Sequence, residues 1–258
     1  MSSSLKVVQP FVVGLQLGRI QSPGALAIIE RTPGLLEDSP ITHELRFLQR
    51  WREGTAYPTI VRQVAALLRR APLREPDSRL DPYRSLLPDY IRGGTAAVVV
   101  NATGVGRAAL ELFADEDPDL RTVATWVTTG DQALEDENGW RVPQRDLVAA
   151  VQVLQQQERL AIAALPETTV VLAQVEGFHV TAGAGGRDRY EAAAGEDEMV
   201  LAVALACWWG ELVSPGRVEV ESGPFSAFSQ EALEYERRKR RIKSVRAKPS
   251  GPMADGIG

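Results

Sequence analysis

The most constraining feature of the sequence is the apolar run at residues 96–100, which ends at the amide Asn101. A strand with one face in water alternates apolar and polar residues, whereas a strand covered on both faces does not. Gly104 and Gly106 follow and permit a tight turn into a helix that reaches about Phe113. These residues predict an interior strand of a sheet that has helices on both faces.

The residues before this run predict three antiparallel strands and a helix. Short buried or alternating segments separated by turn-rich links cover residues 11–17, 24–31 and 43–48. Residues 57–70 then show the i, i+3, i+4, i+7 apolar spacing of an amphipathic helix. A surface excursion with four prolines is predicted for residues 71–94.

Further strands and helices are predicted after the apolar run. Residues 121–127 predict a strand that a right-handed crossover makes parallel to the strand at 96–101. Helices are predicted over residues 143–157, 167–176 and 197–212, and short strands over 159–163 and 177–181. The predicted fold class is α/β: a mixed sheet with three antiparallel strands, then parallel strands, flanked by helices.

The sequence contains few cysteine and histidine side chains that could bind a metal ion. Cys207 is the only cysteine, and His43 and His179 are the only histidines, which is too few for a zinc site of the Cys/His type. Any metal would therefore need oxygen ligands. No apolar run approaches the ~20 residues of a membrane span and the N-terminus lacks a secretory signal, so we expect a cytoplasmic protein without a membrane partner.

Charge is segregated along the chain. Residues 237–248 contain 8 basic residues and no acid, whereas the other 246 residues carry 21 basic and 34 acidic side chains. We expect a domain at 1–213 and a polar extension with a basic helix at 214–258. The extension could be solvated, could dock on the acidic body, or could bind DNA non-specifically, which we favour. The candidate nucleic-acid-binding residues are Arg237, Arg238, Lys239, Arg240, Arg241 and Lys243.

Four segments, in order, carry a resemblance to a known family. They are VVGLQLGR at 12–19, VVNATGVG at 99–106, VPQRDL at 142–147 and DEMVLAVALA at 197–206. Together they resemble the nuclease domain of phage terminase large subunits over residues 11–212. The resemblance implies an RNase H-like fold, in which the first strand lies in the middle of the sheet beside the fourth. It also implies phosphodiester cleavage assisted by two Mg²⁺ or Mn²⁺ ions.

The resemblance also identifies the candidate catalytic and metal-binding residues. They match Gln16 in the first strand, Asn101 at the end of the fourth, and Asp197 with Glu198 at the start of a late helix. The family has metal-holding aspartates at the positions of Gln16 and Asn101, and often an acid at Ser22. An amide oxygen can bind a cation but brings no charge. We therefore expect Mg²⁺ or Mn²⁺ to bind weakly or not at all.

The resulting functional hypothesis is a terminase-nuclease-like protein of phage or prophage origin, catalytically impaired or inactive, with a DNA-binding or assembly role. No G-x-x-x-x-G-K-[ST] motif is present, so a packaging motor would be a separate subunit, and phage assembly proteins are further expected partners. The alternatives are an active endonuclease with a weakened metal site, an actin-like or sugar-kinase-type nucleotide-binding core, and a protein-interaction module. The nucleotide alternative draws on the G-x-G-x-x-A match at 104–109.

Overall fold

The computed structural model describes residues 3–18, 22–34, 39–74, 96–176, 178–182, 188–192, 197–213 and 216–220. The strands are β1 (Ser3–Val7), β2 (Phe11–Gln16), β3 (Gly24–Thr32), β4 (Thr42–Trp51), β5 (Ala96–Asn101), β6 (Thr122–Thr128), β7 (Leu134–Asp136), β8 (Gly139–Pro143), β9 (Leu160–Ile162), β10 (Phe178–Ala182), β11 (Asp188–Ala192) and β12 (Gly216–Val220). The helices are α1 (Tyr57–Leu68), α2 (Gly106–Glu116), α3 (Gln144–Gln156), α4 (Thr168–Glu176) and α5 (Glu198–Leu212).

Eight of the strands form one mixed sheet in the order β7-β8-β6-β5-β2-β3-β4-β9. β2, β3 and β4 form an antiparallel meander, and β5, β6 and β8 continue the sheet in parallel with β2. The predicted fold class is therefore confirmed, including the position of β2 in the interior of the sheet beside β5. This order brings the carboxyl ends of β2 and β5 together.

Alternate residues along β2 and β5 pack against different helices. Val12 and Val99 belong to the core that contains α5, whereas Val13 and Val98 belong to the core with α1 and α2. Every residue from Met199 to Trp209 is buried, because this helix lies against the sheet and against α3 and α4. The apolar character of β5 on both faces follows from this three-layer arrangement.

Gly14 sets how closely α5 approaches the sheet. A Cβ at this position would overlap the backbone carbonyl oxygen of Ala202. The helix backbone therefore rests directly on β2, which fixes the start of α5 relative to the end of that strand.

The hairpin formed by β7 and β8 was not predicted. β7 has only three residues, of which one is apolar. The turn at Asn138–Gly139, where Gly139 has φ of 133°, was the available signal. Pro143 ends β8 and occupies the position just before α3, which begins at Gln144, rather than the first turn of the helix.

Some predictions concern residues outside the described ranges. They include most of the excursion at 71–94, the glycine-rich turn near 183–186 and the basic helix. β12 pairs with β1, so part of the predicted extension contacts the start of the chain, and the boundary at 213 stays a prediction. No helix within the described residues is long and apolar enough to cross a membrane.

Candidate functional site

Gln16 and Asn101 end two neighbouring parallel strands. Leu15 of β2 is in register with Val100 of β5, so the two residues that follow lie side by side at the carboxyl edge of the sheet. Gln16 lies two residues after Gly14, and Asn101 lies two residues after Val99. Gly14 and Val99 face α5, and side chains alternate along a strand, so Gln16 and Asn101 face α5 too. The topology thus brings these two predicted site residues together on the face that α5 covers.

The two amides bind each other. Asn101 donates a hydrogen bond from Nδ2 to Oε1 of Gln16 at 2.7 Å, and its own Oδ1 accepts one from the backbone N–H of Thr103 at 2.9 Å. Gln16 donates from Nε2 to the carbonyl of Leu17 at 3.3 Å. Asn101 is only 8% exposed. Both amide oxygens therefore already accept hydrogen bonds, and the pair cross-links the ends of β2 and β5.

The acids at the start of α5 have different surroundings. Asp197 is the N-cap residue of the helix but makes no side-chain capping hydrogen bond. Glu198 is 5% exposed, and its Oε1 lies 2.7 Å from Nε of Arg50 on β4. This oxygen makes no aligned hydrogen bond, so the contact is an ion pair held by charge.

Arg50 belongs to the same row of the sheet as the amides. Gln16 is opposite Ala25 on β3, and Ala25 is opposite Arg50 on β4. Residues directly opposite in antiparallel strands point to the same face. Gln16, Asn101 and the Arg50–Glu198 pair therefore lie along one face of the sheet, beneath the N-terminus of α5.

Gln174 caps the N-terminus of α5. Its Oε1 accepts a hydrogen bond from the backbone N–H of Val200 at 3.0 Å, and the side chain is 7% exposed. A helix N-terminus leaves four backbone donors unsatisfied, and this contact from α4 satisfies one of them. Neither Gln174 nor Arg50 was identified from the sequence. For Gln174, the one available signal was its position three residues after Val171, on the same face of the helix as this buried residue.

Gly104 and Gly106 shape the turn after β5. Gly104 has φ of 66°, which favours glycine, and a Cβ at Gly106 would overlap the backbone oxygen of Asn101. The G-x-G-x-x-A match therefore reflects the turn that positions Asn101. Ser22 is exposed, and the six basic candidates at 237–243 lie outside the described residues.

The opposite end of α5 holds a second polar cluster. Glu211 accepts hydrogen bonds at 2.8 and 2.7 Å from the guanidinium of Arg159, and its Oε1 lies 3.5 Å from Nε2 of His43. Arg31 donates to the carbonyl of Val213 just beyond the helix. Burial lowers the pKa of His43 to about 4, with Glu211 opposing the shift. Burial also raises the pKa of the Cys207 thiol to about 12, so this cysteine is a core residue.

The residues at the carboxyl edge do not fit a pair of divalent cations. Such a site needs several oxygen ligands with negative charge. Of the four candidates, two are amides whose oxygens accept hydrogen bonds, and Glu198 faces an arginine. Within the described ranges, no group of three or more His, Cys, Asp or Glu side chains is placed to hold a metal ion.

Comparisons with known proteins identify the fold. No protein-family model and no curated protein matches the chain. The structure of the large terminase nuclease from thermophilic phage G20c with bound magnesium is similar, with a TM-score of 0.50 and 17% identity over 78% of this chain and 80% of that one. The same nuclease with bound cobalt gives a TM-score of 0.50 and 16% identity over the same shares. The chain has the RNase H-like fold of the phage large-terminase nuclease domain.

Proposed function

We propose that this protein is a terminase-nuclease-like DNA-binding protein of phage or prophage origin that has lost efficient DNA cleavage. The observation that carries the proposal is the hydrogen bond between Asn101 and Gln16. These are the two positions at which the resemblance places metal-holding aspartates. Two aspartates so close together would repel one another without a cation, whereas two amides stabilise each other directly.

Electrostatics supports the loss of metal binding. Each carboxylate replaced by an amide removes a negative charge, and a unit charge about 4 Å from a cation contributes about 4 kcal/mol at an effective dielectric constant near 20. Two are removed here. Arg50 adds a positive charge beside Glu198, so a cation arriving at this acid would compete with a guanidinium already in place.

DNA is proposed as the partner because of the basic segment at 237–248. Lysine and arginine residues that neutralise phosphates release counterions, which gives sequence-independent binding that weakens as salt increases. A separate motor subunit and other phage assembly proteins are the proposed protein partners. An assembly role needs the domain to hold DNA but not to cut it.

Plasmid nicking tests the loss of cleavage. Supercoiled DNA is incubated with the native protein, the Gln16→Asp/Asn101→Asp variant and a matched control, Gln152→Asp/Gln156→Asp, which adds the same charges on the exposed face of α3. We expect no cutting above background by the native protein or the control in Mg²⁺ or Mn²⁺, and measurable cutting by the first variant. Robust cutting by the native protein that Asp197→Ala abolishes would contradict the proposal.

Gel-shift titration against salt tests the DNA partner separately. Replacing Arg237, Arg238, Lys239, Arg240, Arg241 and Lys243 with glutamine is expected to weaken duplex binding and to flatten its dependence on salt concentration. Absence of any DNA affinity at low ionic strength would instead favour a protein-interaction module.

A further inference from the structure

A cleft of about 620 Å³ opens at the same edge of the sheet, on the face that α2 covers rather than the face that α5 covers. It lies between α2, the C-terminal end of β6 and the β7–β8 hairpin. Its polar and aromatic lining is Thr103, Arg107, Trp126, Thr128, Asn138 and Arg141, with the carboxylates of Glu111 and Asp136. Its volume falls in the range of small-molecule sites, and a nucleotide unit fits within it.

Thr103 connects the cleft to the amide pair. Its backbone N–H binds Asn101, while its hydroxyl accepts a hydrogen bond from the backbone N–H of Val127 at 2.9 Å. Thr125, which is buried, faces the α5 side, so Trp126 faces the α2 side. A strand of nucleic acid crossing the carboxyl edge of the sheet would therefore pass from the amide pair to the indole of Trp126.

The two arginines of the cleft differ in their partners. Arg141 lies 3.0 Å from Asp136, so its charge is already balanced. Arg107, which is exposed in the first turn of α2, forms no ion pair with any residue in the ranges that the structure describes. The ring of Trp126 packs over the hairpin turn, where a Cβ at Gly139 would touch it at 3.0 Å. The cleft thus presents a supported aromatic surface, the carboxylate of Glu111, and one arginine, Arg107, without an ion-pair partner among the described residues.

We propose that the cleft holds one unpaired base of a nucleic-acid strand, stacked on Trp126, with the adjoining phosphate bound by Arg107. The proposal rests on the DNA binding proposed above and specifies its preferred substrate: single-stranded DNA or a frayed duplex end. Aromatic stacking is available to every base, so the site is tolerant of sequence. Asn138 and Thr128 supply hydrogen-bonding groups for the base edge.

Fluorescence anisotropy of the full chain tests this site. The probes are a fluorescein-labelled oligothymidylate and a blunt duplex of equal length. Trp126→Ala is expected to weaken oligothymidylate binding by about tenfold and Arg107→Ala by a smaller factor, and both are expected to leave duplex binding nearly unchanged. Arg62→Ala, which removes an exposed arginine of α1 outside the cleft, is the matched control and should change neither.

The outcomes separate this inference from the proposed function. If the native protein binds duplex DNA and neither cleft variant changes oligothymidylate binding, the cleft does not bind an unpaired base. The proposed function would then still stand. Failure of the native protein to bind either probe overturns both. Circular dichroism checks the fold of Trp126→Ala, and Arg107→Ala tests the site independently because this side chain is exposed.

Discussion

The two ends of α5 are built alike. At the N-terminal end, Glu198 pairs with Arg50 of β4, and at the C-terminal end Glu211 pairs with Arg159, which follows α3. Both ends also have a side chain that satisfies helix backbone groups, Gln174 at the start and Arg31 at the finish. At each end an Arg–Glu pair therefore joins the helix to a neighbouring element, so we expect Glu198 to anchor the start of α5 as Glu211 anchors its end.

The ends differ in what lies beside the ion pair. The C-terminal end has the buried His43, whose ring nitrogens make no hydrogen bond in the structure, whereas the N-terminal end has the neutral pair of Gln16 and Asn101. One end therefore contains a group that acid can charge, and the other contains amides that do not titrate. This difference predicts that protonation of His43 will loosen the C-terminal end of the helix as the pH falls.

The largest expected effect concerns His43. Its pKa is about 4 in the folded protein and near 6.5 when unfolded, so the unfolded chain binds the extra proton first as the pH falls. Stability is retained above pH 6.5 and is lost between pH 6.5 and 4, by about 3 kcal/mol at pH 4. Denaturant unfolding measured across this range should show that loss for the native protein, and less of it for His43→Gln. Equal pH dependence in both proteins would contradict the assignment; Glu211, Arg31 and Arg159 face the ring in each.

The next effect concerns the ion pair at the other end. Arg50→Met leaves the buried Glu198 carboxylate without this guanidinium and is expected to lower the free energy of unfolding by about 2 kcal/mol, less than for a fully buried pair because Arg50 is partly exposed. Adding Glu198→Gln should recover much of the loss. Arg52→Met, at an exposed arginine just after the end of β4, is the control. If both arginine variants have equal stability, Arg50 is no anchor.

The smallest effect concerns the helix cap. Gln174→Leu removes the acceptor for Val200 N–H and is expected to cost about 1 kcal/mol. Gln152→Leu on the exposed face of α3 is the matched control and should stay near the native value. Thermal unfolding of the two variants measures the difference. If Gln174→Leu unfolds at the same midpoint temperature as the native protein, Gln174 does not stabilise the start of α5.

The main elements of the sheet could be predicted because each has a distinct periodicity. The apolar run that ends at Asn101 indicated an interior strand, and the alternating run at residues 43–48 indicated a third strand of the meander. The juxtaposition of Gln16 and Asn101 followed from the strand order that the family resemblance implied. The short β7 was missed because three residues with one apolar side chain show no period.

The ion pairs could not be predicted from the sequence. Arg50 and Glu198 are far apart in the chain and meet only because β4 lies under the start of α5. The same holds for Arg159 and Glu211 at the other end. A charge pair across two elements depends on their packing, which local patterns of hydrophobicity do not encode. The anchoring role of Glu198 was therefore visible only in the structure.

Calorimetric titration with Mn²⁺ tests most directly whether the carboxyl edge is a neutral, anchored site rather than a metal centre. The native protein is predicted to show no saturable heat, and Gln16→Asp/Asn101→Asp/Arg50→Met is predicted to bind Mn²⁺ because it restores two charges and frees Glu198. Saturable binding of two Mn²⁺ ions by the native protein, lost on Gln16→Ala or Asn101→Ala, would contradict the account.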